Sequence, residues 1–448
     1  MLNILPALIQ NKRIVILGFG MEGQSSFRFL KHHFPKHRFL IADQNTEIKN
    51  HPLIIPPENT LKLEISTGKS YLNALQKEDF VLKSPGIKLP TDCQLDSNSL
   101  FSQTDLFIQA FHNQIIGITG TKGKSTTSSL LYKILSDQEK QVILIGNIGK
   151  PAFDYWDKIE KETLIVFELS AHQLEYTRFS PKYAVLLNLF PEHLDYFKTS
   201  ENYFKAKLNI AKFQSEGDFF FLGDANNEKF VLESIEKKPS VSAYEIKDQA
   251  ILSRSSNSIL LELTEMHYLK GLHQLKNCIP LLNLGTALNL NTDLLLESIK
   301  TFKPLPHRIE FIGKINEVVF YNDSISTIPE ATIEALKALK TVNYLILGGL
   351  DRTLNYQKLY DFISAYPLEK IFFIGPAGKR MQSELSDSKS FEIVYIEKLK
   401  HIEKHLKDIV RQNKTSICLL SPAAASYDEF KNFEERGDYF RSIIEKFM

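Results

Sequence analysis

Residues 117–131 read GITGTKGKSTTSSLL and follow the short apolar run 114–116. Glycines at 117, 120 and 123, then Leu130, Leu131, Ile134 and Leu135 at helical spacing, describe a strand that turns sharply into a helix. In such a turn backbone N–H groups converge, Lys124 can reach the β- and γ-phosphates of a nucleotide, and the Ser125 hydroxyl can hold Mg²⁺. The pattern GxxxxGK[ST] would place glycine at 118, where this chain has Ile118. The alternative is a turn that only packs strand on helix. The GKST run in its strand-loop-helix setting favours a nucleoside triphosphate.

The same device occurs earlier. The apolar run 13–17 (RIVIL) leads into GFGMEG at 18–23, and a second run, 38–42, ends at Asp43. This is a βαβ opening with GxGxxG spacing and an acid after the second strand. Taken alone it fits a nicotinamide-dependent oxidoreductase with Asp43 on the ribose. It equally fits any nucleotide diphosphate resting on a helix N-terminus, or tight strand-helix packing with no ligand. A dehydrogenase has no use for a second, triphosphate-type loop, whereas a ligase that activates a nucleotide-linked substrate with ATP needs both.

Strand-like runs at 79–82, 163–168, 183–188, 344–349, 370–375 and 416–420 alternate with helical stretches, so the expected class is α/β, with parallel sheets covered on both faces. The polar stretch 91–99 and the proline-bearing 303–306 mark boundaries. Three domains are expected: 1–99, Rossmann-like; 100–304, a central P-loop ATP-binding domain; and 305–448, Rossmann-like. The linkers near 99 and 304 are the expected hinges for closure around substrates.

The 54 Lys and Arg against 53 Asp and Glu give a formal charge of +1, which offers no field to draw in nucleic acid. Cys93, Cys278 and Cys418 lie far apart without CxxC spacing, against both a zinc site and a disulfide framework. The opening MLNILPALIQNKR lacks the features of a signal peptide, and no apolar run approaches the ~20 residues that span a bilayer. A cytoplasmic monomer without membrane insertion is expected.

Further along stand Glu168 in FELSAHQLE, His193 in NLFPEHLDYF and Lys207 in YFKAKLNI. A carboxylate and an imidazole just past predicted strands are plausible Mg²⁺ ligands, although surface or packing roles fit each residue alone.

Together these motifs resemble the Mur ligase family along the whole chain. GTKGKST is similar to its ATP loop, NIGKPAF at 147 to its NIG motif, and ELSAHQLE to its ELSSFQLE. NLFPEHLDYF is similar to NxxxDHLDRH. HQLKN at 273, LPHRIEF at 305, NDSISTIPE at 322 and SPAAASYDEFKNFEERGDYF at 421 continue the order. The last of these, and the KSPGI turn at 83, resemble the D-glutamate-adding branch. The chain departs from the family at Lys122 (usually Asn), Glu192 (Asp), Ile325 (Lys) and Arg352 (Lys).

The resemblance implies that ATP phosphorylates the L-alanyl carboxylate of UDP-N-acetylmuramoyl-L-alanine and that the amine of D-glutamate then attacks the acyl phosphate. It implies catalytic roles for Lys124, Glu168, His193 and Lys207, with Lys207 carbamylated. Two Mg²⁺ would be held by Ser125, Glu168, His193 and that carbamate. ATP would lie on Gly120, Thr121, Lys122, Gly123, Lys124, Ser125 and Thr126, with Asn277 near adenine and Arg308, Asn322 and Asp323 serving from the third domain. The UDP substrate would meet Gly18, Phe19, Gly20, Asp43, Gln44, Ser84, Pro85, Gly86, Asn147, Ser170 and Gln173. Thr327, Arg352, Ser426 and Phe433 would hold the incoming amino acid. A ligase adding L-glutamate, the nicotinamide oxidoreductase and a catalytically silent UDP-sugar module are the alternatives.

Overall fold

The computed structural model describes residues 5–54, 62–89, 95, 99–146, 150–224, 227–269, 272–303, 306–385 and 391–447. Asn147, Cys93 and the boundary residues Pro304 and Leu305 lie outside the described residues. The chain forms two compact units, Met1–Lys303 and Pro304–Met448.

The first unit contains two parallel five-stranded sheets. Strands β1 (Ile14–Leu17), β2 (Arg38–Asp43), β3 (Lys62–Thr67), β4 (Phe80–Lys83) and β5 (Leu100–Phe101) form the first, in the order β3-β2-β1-β4-β5. All four residues of β1 are buried, as an unbroken Ile-Val-Ile-Leu run requires when helices cover both faces of a sheet. The second sheet comprises β6 (Ile115–Thr119), β7 (Val142–Gly146), β8 (Leu164–Glu168), β9 (Tyr183–Leu186) and β10 (Phe219–Leu222), in the order β10-β9-β6-β8-β7. Its central strand, β6, leads into the helix Lys124–Asp137, whose Leu130, Leu131, Ile134 and Leu135 bury one face on the sheet.

The two sheets share one hydrophobic core that runs from Phe27 and Phe39 to Phe107, Phe167 and Phe220. At the seam, Phe29 of the helix Met21–His33 packs on Phe153 and Trp156 at ring distances of 4.6 and 4.9 Å, and Phe111 closes on Trp156 at 4.9 Å. Ser25 and Arg28 of the same helix donate to Asp154 at 2.9 and 2.8 Å. Each large side chain buried here contributes about 1.5–3 kcal/mol, so the seam is stabilised mainly by packing, with the ion pair adding little.

A third, antiparallel sheet, β11 (Tyr244–Lys247), β12 (Ala250–Ser253) and β13 (Ile259–Glu262), completes the unit. Its Ile251 and Leu261 pack with Leu275, Cys278 and Leu282 of the helix Leu272–Ala287.

The second unit has one six-stranded sheet: β14 (Glu310–Ile315), β15 (Val318–Asn322), β16 (Tyr344–Gly348), β17 (Lys370–Ile374), β18 (Glu392–Ile396) and β19 (Ser416–Leu420), in the order β14-β15-β19-β16-β17-β18. The hairpin β14-β15 is antiparallel and the remaining pairs are parallel. No described helix is long and apolar enough to cross a membrane.

Candidate active site

The turn between β6 and its helix is shaped by Gly123, which caps the helix at φ +85°, a left-handed conformation natural to glycine. A Cβ there would sit 2.6 Å from Nδ2 of Asn277. Asn277, the expected adenine neighbour, is thus buried against the loop itself. Thr121 anchors the turn from the other side: its N–H donates to the Asn188 carbonyl (3.0 Å), and its Oγ1 accepts from the N–H of Phe190 (3.0 Å).

Two lysines meet at this loop. Lys124 donates to the carbonyls of Gly120 and Thr121, both at 2.9 Å, and Lys207 donates to the same Gly120 carbonyl at 2.8 Å. Lys207 lies in the helix Ser200–Lys212, started by a Thr199 cap, and falls within that helix's buried stripe of Tyr203, Ala206, Ile210 and Ala211. At 1% exposure its ammonium is strongly disfavoured. Burial pushes its pKa well below the usual lysine range; the charge of Lys124 pushes the same way, while Glu192 and Glu168 push back. A lysine held as a free amine is the form that reacts with CO₂: its nitrogen attacks the carbon, a carbamate forms and a proton leaves.

Glu168, at 0% exposure, ends β8 beside β6, and Thr119 at the end of β6 donates to the neighbouring Leu169 carbonyl at 2.7 Å. Ser125 is buried in the first turn of the loop's helix, and Thr126 is half-buried. His193 is exposed, in the left-handed region at φ +55°, and caps the short helix Leu194–Phe197. Among the described residues no three His, Cys, Asp or Glu side chains gather into a metal-holding group. Mg²⁺ that travels with a nucleotide takes only one or two protein carboxylates, completing its shell with phosphate and water, so Glu168 and a Lys207 carbamate fit such an ion.

The two departures in this region belong together. Lys122 donates to Glu192 at 2.6 Å, and the Lys122 backbone is held by Asn188 through its N–H (2.8 Å) and its carbonyl (3.0 Å). Sequence reading noted each residue but missed the pairing.

In the first sheet, Gly18, Phe19 and Gly20 turn β1 into its helix. Phe19 is buried and donates its N–H to Asp43 at 2.6 Å, while Asn45 donates to the other oxygen of Asp43 at 2.7 Å. Asp43 therefore ties β2 to the glycine loop, and Gln44 next to it is exposed. Ser84 donates to the Gly18 carbonyl at 3.1 Å, joining the 84–86 turn to the same loop.

A cleft opens where the first and second sheets meet, lined by Met21, Glu22, Pro85, Gly146, Pro151, Ser170 and Gln173. It brings together Pro85, Ser170 and Gln173, which stand in separate motifs along the sequence. Ser170 and Gln173 form a reciprocal cap on the helix Ala171–Leu174: the Ser170 N–H and hydroxyl both donate to Gln173 Oε1, at 2.9 and 3.0 Å. The other end of the Gln173 amide donates to Glu22 Oε1 at 2.7 Å. Glu22 is a residue that sequence reading missed, because GxGxxG leaves its position free. Burial pushes its carboxyl up to about 7. Nearby Lys83, buried at the end of β4 over the Tyr176 ring at 4.3 Å, is pushed down to about 8, again chiefly by burial.

In the second unit, the residues expected to hold an amino acid lie in loops after β15, β16 and β19, which are neighbours in the sheet. The loops after β16 and β19 pair through Leu350 and Ala425, the N–H of Leu350 donating to the Ala425 carbonyl at 2.8 Å. Arg352 is exposed, with its guanidinium 5.4 Å from the ring centre of Tyr427, next to buried Ser426. Thr327 follows β15, and Phe433 starts the helix Phe433–Glu445, its carbonyl accepting from the Ser324 hydroxyl at 2.8 Å.

Asn322 and Asp323 are buried and already bonded. The Asn322 amide lies 2.9 Å from His307 Nδ1 and donates to Glu310 (3.1 Å) and to the Gly437 carbonyl (3.2 Å). Asp323 accepts from the Ile309 N–H at 3.1 Å and the Ser421 hydroxyl at 2.7 Å. Burial raises it to about 6, partly offset by these bonds and by the charge of Arg308.

Residues 118–284 match the Mur ligase middle domain family. A UDP-N-acetylmuramoylalanine–D-glutamate ligase of Clostridium kluyveri is 31% identical over 455 residues, 97% of each chain. One from a Thermoanaerobacter species is 30% identical over 459 residues, 97% of this chain and 98% of the relative. Among solved structures, a MurF from Acinetobacter baumannii superposes with TM-score 0.52 at 13% identity, covering 96% of this chain and 93% of that one. The UDP-N-acetylmuramate-alanine ligase MurC of Thermotoga maritima gives 0.50 at 15%, covering 97% and 99%. At such identities these two structures speak for the multidomain α/β fold, while the longer and closer sequence matches speak for kinship: the chain belongs to the Mur ligase family.

Proposed function

We propose that this protein is an ATP-dependent amide ligase that adds D-glutamate to UDP-N-acetylmuramoyl-L-alanine in peptidoglycan precursor synthesis, working as a cytoplasmic monomer. The observation that carries this is the meeting of Lys124 and Lys207 on the Gly120 carbonyl of the phosphate loop, with the charge of Glu168 felt at Lys207. The full-length relatives named for this reaction supply the substrate identities.

Phosphoryl transfer to a carboxylate brings two anions together, so positioned cations supply most of the stabilisation. Lys124 turns from the loop carbonyls toward the γ-phosphate, and the helix behind it presents its N-terminal amides to the same charge. Bound Mg²⁺ would neutralise the phosphates, and Ser125, Glu168, His193 and Lys207 as a carbamate are the residues to hold it. Gly120–Thr126 cradle ATP, with Asn277 bracing the turn. The glycine loop at 18–20, Asp43, Gln44, Ser84–Gly86, Asn147, Ser170 and Gln173 take the UDP substrate. Thr327, Arg352, Ser426 and Phe433 take the amino acid, Arg352 clamping its side-chain carboxylate with a two-pronged fork.

Phosphate release with UDP-N-acetylmuramoyl-L-alanine and each glutamate enantiomer in turn is the test. Release with D-glutamate alone is expected. Release only with the L form would reassign the amino acid, and no release with either would overturn the ligase assignment.

A further inference from the structure

Glu22 occupies the second position of the helix Met21–His33, whose first-turn amides have no acceptor within the helix. Its surroundings fix where a proton on it must sit. Gln173 Oε1 is committed to the Ser170 N–H, which can only donate, so the amide presents its NH₂ to Glu22. Glu22 Oε1 must therefore accept. Oε2 is shut off from solvent, and no donor among the described residues reaches it. Lys83, the cation whose charge acts on Glu22, lies over Tyr176 and reaches the Ser84 carbonyl at 3.4 Å; Glu175, across from it, draws on the same charge.

A buried carboxylate bonded through one oxygen is costly in its ionised form, and more so when an anion arrives beside it. The cleft that Glu22 lines holds Pro85, Ser170 and Gln173, assigned above to the UDP-linked substrate, whose diphosphate carries the negative charge that a helix N-terminus accepts. Resting on that assignment, we infer that Glu22 takes up a proton as the UDP-linked substrate binds, so that a neutral acid with its proton on the enclosed Oε2, and not a carboxylate, lies beside the diphosphate. No covalent bond changes; the proton comes from solvent and returns to it on release. The carboxyl of the free protein, raised to about 7 by burial, is half ionised near neutrality, and a bound anion raises it further.

Calorimetric titration of the full chain with UDP-N-acetylmuramoyl-L-alanine, in buffers of different ionisation enthalpy at about pH 8, counts the proton. Net uptake approaching one proton is expected, with binding weakening by up to ~tenfold per pH unit above neutrality. In Glu22→Gln the uptake and the pH slope should both vanish. Lys83 titrates in the same range and would also weaken anion binding when it loses its proton, so a slope that persists in Glu22→Gln would overturn the inference. Proton release, or binding by the wild type without uptake, would overturn it as well while leaving the ligase assignment intact. No binding of the UDP substrate to the wild type would overturn that assignment and the inference with it.

Discussion

The first unit builds one device twice, a buried strand turning through glycines into a helix, and sets different ionisable groups beside the two copies. At the 120–123 turn two amines meet, those of half-buried Lys124 and buried Lys207, with buried Glu168 acting on Lys207; at the 18–20 turn the group is the carboxyl of Glu22. Burial drives both toward neutrality, depressing the Lys207 amine and raising the Glu22 acid. The two turns share a glycine-shaped backbone and differ in the side chains set beside it. A triphosphate that must be attacked needs fixed cations. A diphosphate that only has to be held, as proposed for the first turn, is better served by a neutral neighbour than by an enclosed carboxylate.

Removing the cation should have the largest effect. Lys124→Ala is expected to cut phosphate release by on the order of 10²–10³-fold or more while calorimetry still detects the UDP substrate; loss of both would mean that the two turns are not separate sites. Glycine replacements come next. A Cβ on Gly23 would collide with the Gly18 carbonyl, a backbone atom that cannot swing aside, so Gly23→Ala should cost about 1–3 kcal/mol in denaturant melts. Gly123→Ala meets only the end of the Asn277 side chain and should cost roughly 1 kcal/mol, mostly from its positive φ. Equal costs would erase this difference between the turns.

The third effect depends on pH. Because the folded pKa of Glu22 is raised from the ordinary 4.5 to about 7, stability from this group is full below the ordinary value and is lost as pH climbs through 7. Glu22→Gln should therefore be more stable than the wild type by about 1–3 kcal/mol near pH 8 and nearly equal to it near pH 5, by thermal melts. The smallest effect is expected at Lys122–Glu192, a pair whose lysine side chain is 55% exposed. Glu192→Gln should shift stability by only about 0.2–1 kcal/mol, and less in high salt.

The parallel strands were legible because buried strands read as unbroken apolar runs, and the phosphate loop because its chemistry is confined to a few consecutive residues. Lys207 was legible only through the family resemblance, because a lone lysine reads as solvated; its burial comes from the helix stripe it shares with Tyr203, Ala206 and Ile210. The antiparallel sheet β11-β12-β13 escaped because its strands are four residues each, too short for alternation to stand out, although Asp248 and Gln249 both take positive φ in a tight hairpin turn. Glu22 escaped because its importance comes from Gln173, 151 positions away, and Lys122 with Glu192 because 70 positions separate them. The packing of the first two sheets into one unit was equally hidden, since it depends on helix faces meeting across the seam and not on any local motif.

That seam has a practical consequence. Trp156 is the only tryptophan in the chain, and it is wedged there among Phe29, Phe111 and Phe153. Its emission is therefore a built-in gauge of how the two sheets fit together. A substrate that draws them closer can be followed optically without any label.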